Sequence, residues 1–299
     1  DLEPDMLDTR KFRAGQLRAP VPLLALVAGL VALFGFGISF GEAVVGRAAP
    51  VPHDHGVNGL GDNDDHGKGP GGLAIASQGY LLRPRITRFT AGEFENFRFT
   101  VFASNGQPVT DFAQRGDRRM NFFVVRRDMT GYQHLYPVMD PDGTWTVPLE
   151  LDEPGSYRAF AEFLPGTAKT PVTLGVDLAA PGLVEDGPIS KVSTIAELDG
   201  YTVVWTGELV AGSVSRIGMH VMRDELPVTD LDPVLGSAGH LVILREGDLA
   251  HLNVRPVVPS QDTAIDFDAD VPTAGYYRMF LEFQHHGQLR TVEFTALAR

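Results

Sequence analysis

An all-β architecture in two tandem copies, set behind one apolar helix, is what this 299-residue sequence predicts. Three observations predict it. No charged residue falls between Ala19 and Gly41. A block of short strand-like segments then occurs twice. No long segment with a 3.6-residue apolar period competes with the strands.

The first copy reads Met120-Asn-Phe-Phe-Val-Val-Arg-Arg127, then Gln133-His-Leu-Tyr-Pro137, then Pro154-Gly-Ser-Tyr-Arg-Ala-Phe-Ala-Glu-Phe163. The second reads Gly239-His-Leu-Val-Ile-Leu-Arg-Glu246, then Leu252-Asn-Val-Arg-Pro256, then Ala274-Gly-Tyr-Tyr-Arg-Met-Phe-Leu-Glu-Phe283. The same tetrapeptide precedes each copy, as Pro108-Val-Thr-Asp111 and Pro227-Val-Thr-Asp230. The period of roughly 120 residues gives two domains of ordinary size, at 73–180 and 181–299.

The apolar run at 19–41 would form a helix ~34 Å long, enough to cross the ~30 Å hydrocarbon core. Pro20 and Pro22 suit its first turn, where backbone N–H groups lack partners. Lys11, Arg13 and Arg18 precede it and Glu42 follows. Basic flanks stay cytoplasmic, so residues 1–18 are expected inside and the domains outside. The run is long for a signal peptide and no A-x-A site follows, so an uncleaved cell-membrane anchor is expected. Gly37 and Gly41 stand one turn apart, a spacing that lets a partner helix approach closely. Residues 42–72 read as a linker rich in Gly, Asp and His, with Pro50, Pro52 and Pro70.

In the first domain the expected strands are 97–103, 121–126, 134–139, 144–149, 157–163 and 172–176, with Asp140-Pro-Asp-Gly143 as a turn. In the second they are 201–206, 216–223, 240–245, 250–254, 264–268, 276–283 and 289–295. Gly155-Ser-Tyr157 and Gly275-Tyr-Tyr277 open the strongest strand of each copy. A tyrosine there is the corner residue of immunoglobulin-like sandwiches. The expectation is therefore two Ig-like β-sandwiches, with a cupredoxin-like Greek key as the alternative.

Composition narrows the function. A formal net charge of −13 opposes binding to nucleic acid, whose phosphates call for a basic face. The absence of cysteine excludes disulfides, thiolate sites and blue copper. No G-x-S-x-G elbow occurs. Gly61 to Lys68 has one residue too many for a P-loop, and Gly69 stands where Ser or Thr must hold magnesium. Asp62-Asn-Asp-Asp-His-Gly67 begins like an EF-hand loop, but the bidentate Glu is replaced by Leu73. Asp266 and Asp268 alternate on a strand, as a solvated face would. No enzyme is expected.

The histidines remain. His53, His55 and His66 lie among carboxylates in the linker and are candidates for weak copper or zinc binding. His285 and His286 are expected in an exposed hairpin turn, and His220 on a strand with no evident partner. His134 and His240 lie on the repeat itself.

The run Pro227–Leu231, Leu235-Gly236, Gly239–Val242, Arg245–Ala250 and Val254-x-Pro256 resembles a family of actinobacterial exported or membrane-anchored proteins grouped with heavy-metal-binding and YtkA-like domains. The first copy, through Val124–Asp128 and Gln133-His-Leu-x-Pro137, is similar to the same family. The resemblance covers most of residues 100–295. It implies, in each unit, one His on the first strand and His-x-His-Pro on the next, forming an open copper or zinc site. Here those positions are Asn121, His134 and Tyr136 in the first copy and His240, Asn253 and Arg255 in the second. Each unit keeps one imidazole of three, too few to hold a metal tightly, and Arg255 would add positive charge. His251 would substitute only from the face opposite Asn253.

The function these readings predict is a non-enzymatic, single-pass accessory subunit of a membrane complex, a respiratory oxidase supercomplex being one host. It would contact integral membrane subunits and the lipid bilayer, and need no cofactor. The alternative is an extracytoplasmic copper- or zinc-binding or metallochaperone-like protein.

Overall fold

The computed structural model describes residues 70–299, apart from 117, 167, 185–190 and 258–263. The expected span at 19–41, with Gly37 and Gly41, and the linker histidines His53, His55 and His66 lie outside the described residues. Among those described, no helix is long and apolar enough to cross a membrane.

Among the described residues, the first domain has nine strands: β1 (Ala76–Ser77), β2 (Tyr80–Pro84), β3 (Phe94–Ala103), β4 (Met120–Arg126), β5 (Gln133–Leu135), β6 (Val138–Met139), β7 (Thr144–Glu150), β8 (Gly155–Phe163) and β9 (Val172–Ala180). One sheet has the order β1-β2-β3-β7-β6 and the other β5-β4-β8-β9. The sets β2-β3-β7-β6 and β4-β8-β9 correspond to strands A-B-E-D and C-F-G of an immunoglobulin sandwich. Between β2 and β3 the chain crosses sheets, and Arg88 pairs in parallel with Ala179 of β9.

The second domain repeats this with β10 (Ile195–Leu198), β11 (Tyr201–Gly207), β12 (Ser213–Arg223), β13 (Leu226–Pro227), β14 (His240–Arg245), β15 (Val254–Val257), β16 (Ile265–Val271), β17 (Gly275–His285) and β18 (Gln288–Ala298). Its sheets are β10-β11-β12-β16-β15, with β13 on β12, and β14-β17-β18.

The repeated motifs are local devices of the fold. The tetrapeptide runs back along the strand before it, with Val109 N donating to Val101 O (2.8 Å) and Val228 N to Val221 O (2.9 Å). Asp224 and Glu225, both at positive φ, make the two-residue turn between β12 and β13. Both tyrosine corners close as the sequence implies. Tyr157 Oη donates to Glu153 O at 2.7 Å, and Tyr277 Oη to Thr273 O at 2.8 Å.

Two expected strands differ. The segment 134–139 divides at Pro137, which cannot donate to a ladder. β5 pairs with β4 in one sheet, and β6 with β7 in the other. The expected strand at 250–254 begins only at Val254, because His251 turns aside to pair with Gly71. Strands β1, β2, β10 and β13 were absent from the expectation. Asp266 is buried, not on a solvated face.

Each sandwich has its own core, built on Phe97, Phe99, Phe122 and Trp145 in the first and on Tyr201, Phe267, Phe283 and Phe294 in the second. A third cluster belongs to neither. Phe123, Val125, Met129 and Phe160 of the first domain pack with Val242, Leu244, Leu249 and Phe280 of the second. Strand alternation explains it. On β4, Phe122 and Val124 face the first core while Phe123 and Val125 face the neighbouring domain. On β14, Leu241 and Ile243 face inward while Val242 and Leu244 face the seam. Continuous apolar runs on these strands thus reflect burial on both faces.

Candidate functional site

The polar residues of the seam come from equivalent positions of the two copies. Asn121 on β4 is in register with Glu162 on β8. His240 on β14 is in register with Glu282 on β17. Each lies two residues from a seam residue (Phe123, Phe160, Val242 and Phe280), so all four are placed on the same faces as the apolar cluster.

Asn121 Nδ2 donates to Glu162 Oε2 at 2.9 Å and approaches His240 Nε2 at 3.3 Å. Both amide hydrogens are then committed to acceptors. His240 Nε2 is therefore the unprotonated nitrogen, and the proton is on Nδ1. Burial holds this imidazole well below the ordinary histidine range, and the charges of His134, His251 and Arg115 act in the same direction. Burial also lowers His251, opposed by the Glu162 carboxylate.

His134, carried by β5, crosses the seam. Its Nδ1 lies 2.5 Å from Glu282 Oε2, and each side chain is 1% exposed. Its ring centroid is 5.3 Å from that of His240. One donor atom from each of His134, His240 and Glu282 falls within 4.8 Å of the others. His134 Nε2, Asn121 Oδ1 and Tyr132 Oη are buried without a hydrogen-bond partner. Tyr132 stacks on Phe280 at 4.3 Å. Burial, then the charges of Glu282 and Tyr136, push its phenol well above the usual range.

A cavity of about 620 Å³ reaches the cluster from one side, lined by Gly71, Arg115, Glu162, His240, His251 and Arg255 among others. Arg115 stands at its edge, half exposed, with Nη1 3.4 Å from Glu162 Oε1. Gly71, expected at the end of a linker, exchanges backbone hydrogen bonds with His251 of the second domain at 2.8 and 3.0 Å. Gly72 lies against Phe160, where a Cβ would sit 2.4 Å from the ring.

Of the candidate ligands, the structure brings His134 and His240 together. Each was expected to stand alone within its own domain. Asn121 and Tyr136, at positions where the resemblance implied histidine, remain beside them, Tyr136 with its ring 4.8 Å from His134. Asn253 and Arg255 instead bind Asp270. Glu162, Glu282 and Tyr132 were not singled out in the sequence, and His251 was named only as a substitute ligand. The one available signal was the pair of glutamates at the same position, in Ala161-Glu162-Phe163 and Leu281-Glu282-Phe283. His285 is buried, contrary to expectation. His220 finds Thr206 Oγ1 at 3.3 Å.

The family described as Domain of unknown function (DUF8832) matches residues 76–179 and again 196–299, and the chain belongs to it. No curated protein matches. Among solved structures, the Escherichia coli adhesin FdeC is 13% identical, with 75% of this chain and 65% of that chain covered and a TM-score of 0.24. Yersinia pseudotuberculosis InvD is 13% identical, with coverages of 75% and 58% and a TM-score of 0.25. A titin fragment is 11% identical, with coverages of 73% and 96% and a TM-score of 0.20. The chain spans less than two thirds of FdeC and InvD.

Proposed function

We propose that this two-domain member of the DUF8832 family is a non-enzymatic, membrane-tethered module that binds one copper- or zinc-type divalent ion between its extracytoplasmic sandwiches. The observation that carries the reading is the meeting of His134 and His240, one from each domain, with Glu282. Two imidazoles and a carboxylate are a donor set suited to zinc or copper(II). Glu282 Oε2 already lies on His134 Nδ1, so an ion bound between them would take the place of the hydrogen they share.

Donors about 2 Å from a shared tetrahedral ion stand about 3.4 Å apart. The three donors here lie within 4.8 Å of one another, so small side-chain movements would bring them to that spacing. The charge pattern around 19–41 supports the tether. Calorimetric titration of the full chain in mild detergent with zinc chloride, then copper(II) chloride, tests the reading. One equivalent lost in both His134→Ala and His240→Ala is expected. Unchanged binding in both variants would overturn it.

A second reading is favoured by the apolar seam, which joins the sandwiches and suits them to act as a spacer. On this reading the chain is an accessory subunit of a membrane complex. Purification from native membranes should then co-isolate integral membrane subunits, and a chain that always purifies alone would remove this reading.

A further inference from the structure

The two copies share a backbone corner and differ in what they place on it. After the tetrapeptide, Ala113 N donates to Leu164 O, and Asp232 N to Gln284 O, both at 2.8 Å. The corner therefore binds each chain at the same point beyond the equivalent Phe163 and Phe283. In the first domain the next residues are Pro165 and Gly166. Gly166 lies so close to Asp111 that a Cβ there would sit 2.0 Å from its Oδ2. In the second domain the same positions are His285 and His286, facing the equivalent Asp230.

The second corner is ordered from three directions. His285 Nε2 lies 3.1 Å from Asp230 Oδ1. Its Nδ1 lies 2.7 Å from Tyr201 Oη, which also accepts from Arg223 Nη1 at 3.2 Å. His286 and Gly287, at φ 53° and 73°, form the two-residue turn between β17 and β18. Asp232 Oδ2 accepts from Gly287 N at 2.7 Å and pins that turn. The imidazole centroids of His285 and His286 are 3.8 Å apart. One donor from each of Asp230, His285 and His286 lies within 4.8 Å of the others.

We propose that Asp230, His285 and His286 form a second, surface site for a divalent transition-metal ion of the zinc or copper(II) type. Its donors are two imidazoles and a carboxylate, and its outer coordination positions are open to water or a small ligand. The buried His285 supplies the fixed donor, and the exposed Asp230 and His286 close on the ion. Coordination at Nε2 replaces the hydrogen bond to Asp230. The ring keeps one proton, on Nδ1, where Tyr201 Oη accepts it. Glu282 and His285 stand three residues apart on β17 and face opposite sides of the sheet, so this site and the interdomain one are separate.

The test is calorimetric titration of the full chain in mild detergent with zinc chloride, in a His134→Ala/His240→Ala background that removes the interdomain donors. The background chain should bind zinc with micromolar affinity at this corner. Asp230→Asn and His286→Asn should each weaken that binding at least tenfold. Asparagine at 286 keeps the positive φ available, so the hairpin is preserved. Asp111→Asn, at the equivalent place in the first domain, should change nothing. Zinc binding equally strong in Asp230→Asn, His286→Asn and the background would overturn the proposal, as would no binding in the background. Loss of an ion between the wild-type chain and the background reports on the interdomain site alone.

Discussion

Asn121 and His240 hold the same position in the two copies of the repeat, and they touch across the domain seam at 3.3 Å. The repeat thus brings its own equivalent positions together. Behind each stands its own glutamate, Glu162 or Glu282. These four polar side chains, with His134, His251 and Tyr132, are held against a layer of Phe, Val, Leu and Met, where an unpaired polar group is costly.

The seam should make stability depend on pH. His240 and His251 are both held below the ordinary histidine range in the fold. The unfolded chain therefore binds more protons than the native one below about pH 6.5. Their contribution is fully present above that pH and is lost as pH falls toward the folded-state values. Urea midpoints should be flat from pH 8 to 7 and drop below pH 6.5, by at most about 1.4 kcal/mol per pH unit for each histidine. His240→Asn should make the drop shallower. An unchanged slope in that variant would remove His240 from the account.

Phe280 is fully buried and stacks on Tyr132 across the seam. Phe280→Ala should cost about 3–5 kcal/mol, read from chemical denaturation. Tyr132→Phe is the informative contrast. It removes a buried hydroxyl that has no partner, so it should be neutral or stabilising. A loss as large as that of Phe280→Ala would mean the hydroxyl is bonded.

Glu282→Gln keeps the shape of the site and removes its charge. With a neutral amide in place of the carboxylate donor, zinc affinity should fall without vanishing. His134→Gln should abolish the interdomain equivalent altogether. Calorimetry distinguishes the two outcomes, because a weakened site still titrates and an absent one does not.

The tyrosine corners predict matching losses in the two domains. Tyr157→Phe and Tyr277→Phe each delete one hydrogen bond to a carbonyl four residues back. Each should cost about 1–1.5 kcal/mol. The residues sit in separate cores, so the double variant should lose their sum. A single melting transition should persist, because the seam couples the domains.

The sequence by itself determined most of the strands, the duplication and the corners. These follow from local patterns: alternating apolar residues, Gly-x-Tyr, and a tetrapeptide that bonds to the strand before it. It also placed His134 and His240 on the repeat, at different positions of it, His240 matching Asn121 and His134 matching Asn253. What it left out was which face of those strands meets the other domain. Met120–Val125 and Leu241–Leu244 are apolar at nearly every position, as strands buried on both sides must be, but a continuous run does not say what covers the second face. Only the tertiary structure decided that the cover is the other copy. That docking buries Glu282 against His134, removes water from His240, and makes one cluster from two units that each keep a single histidine. The same holds at the far end of β17, where Asp230 and His285 are 55 residues apart and meet only because the tetrapeptide folds back onto the strand's end.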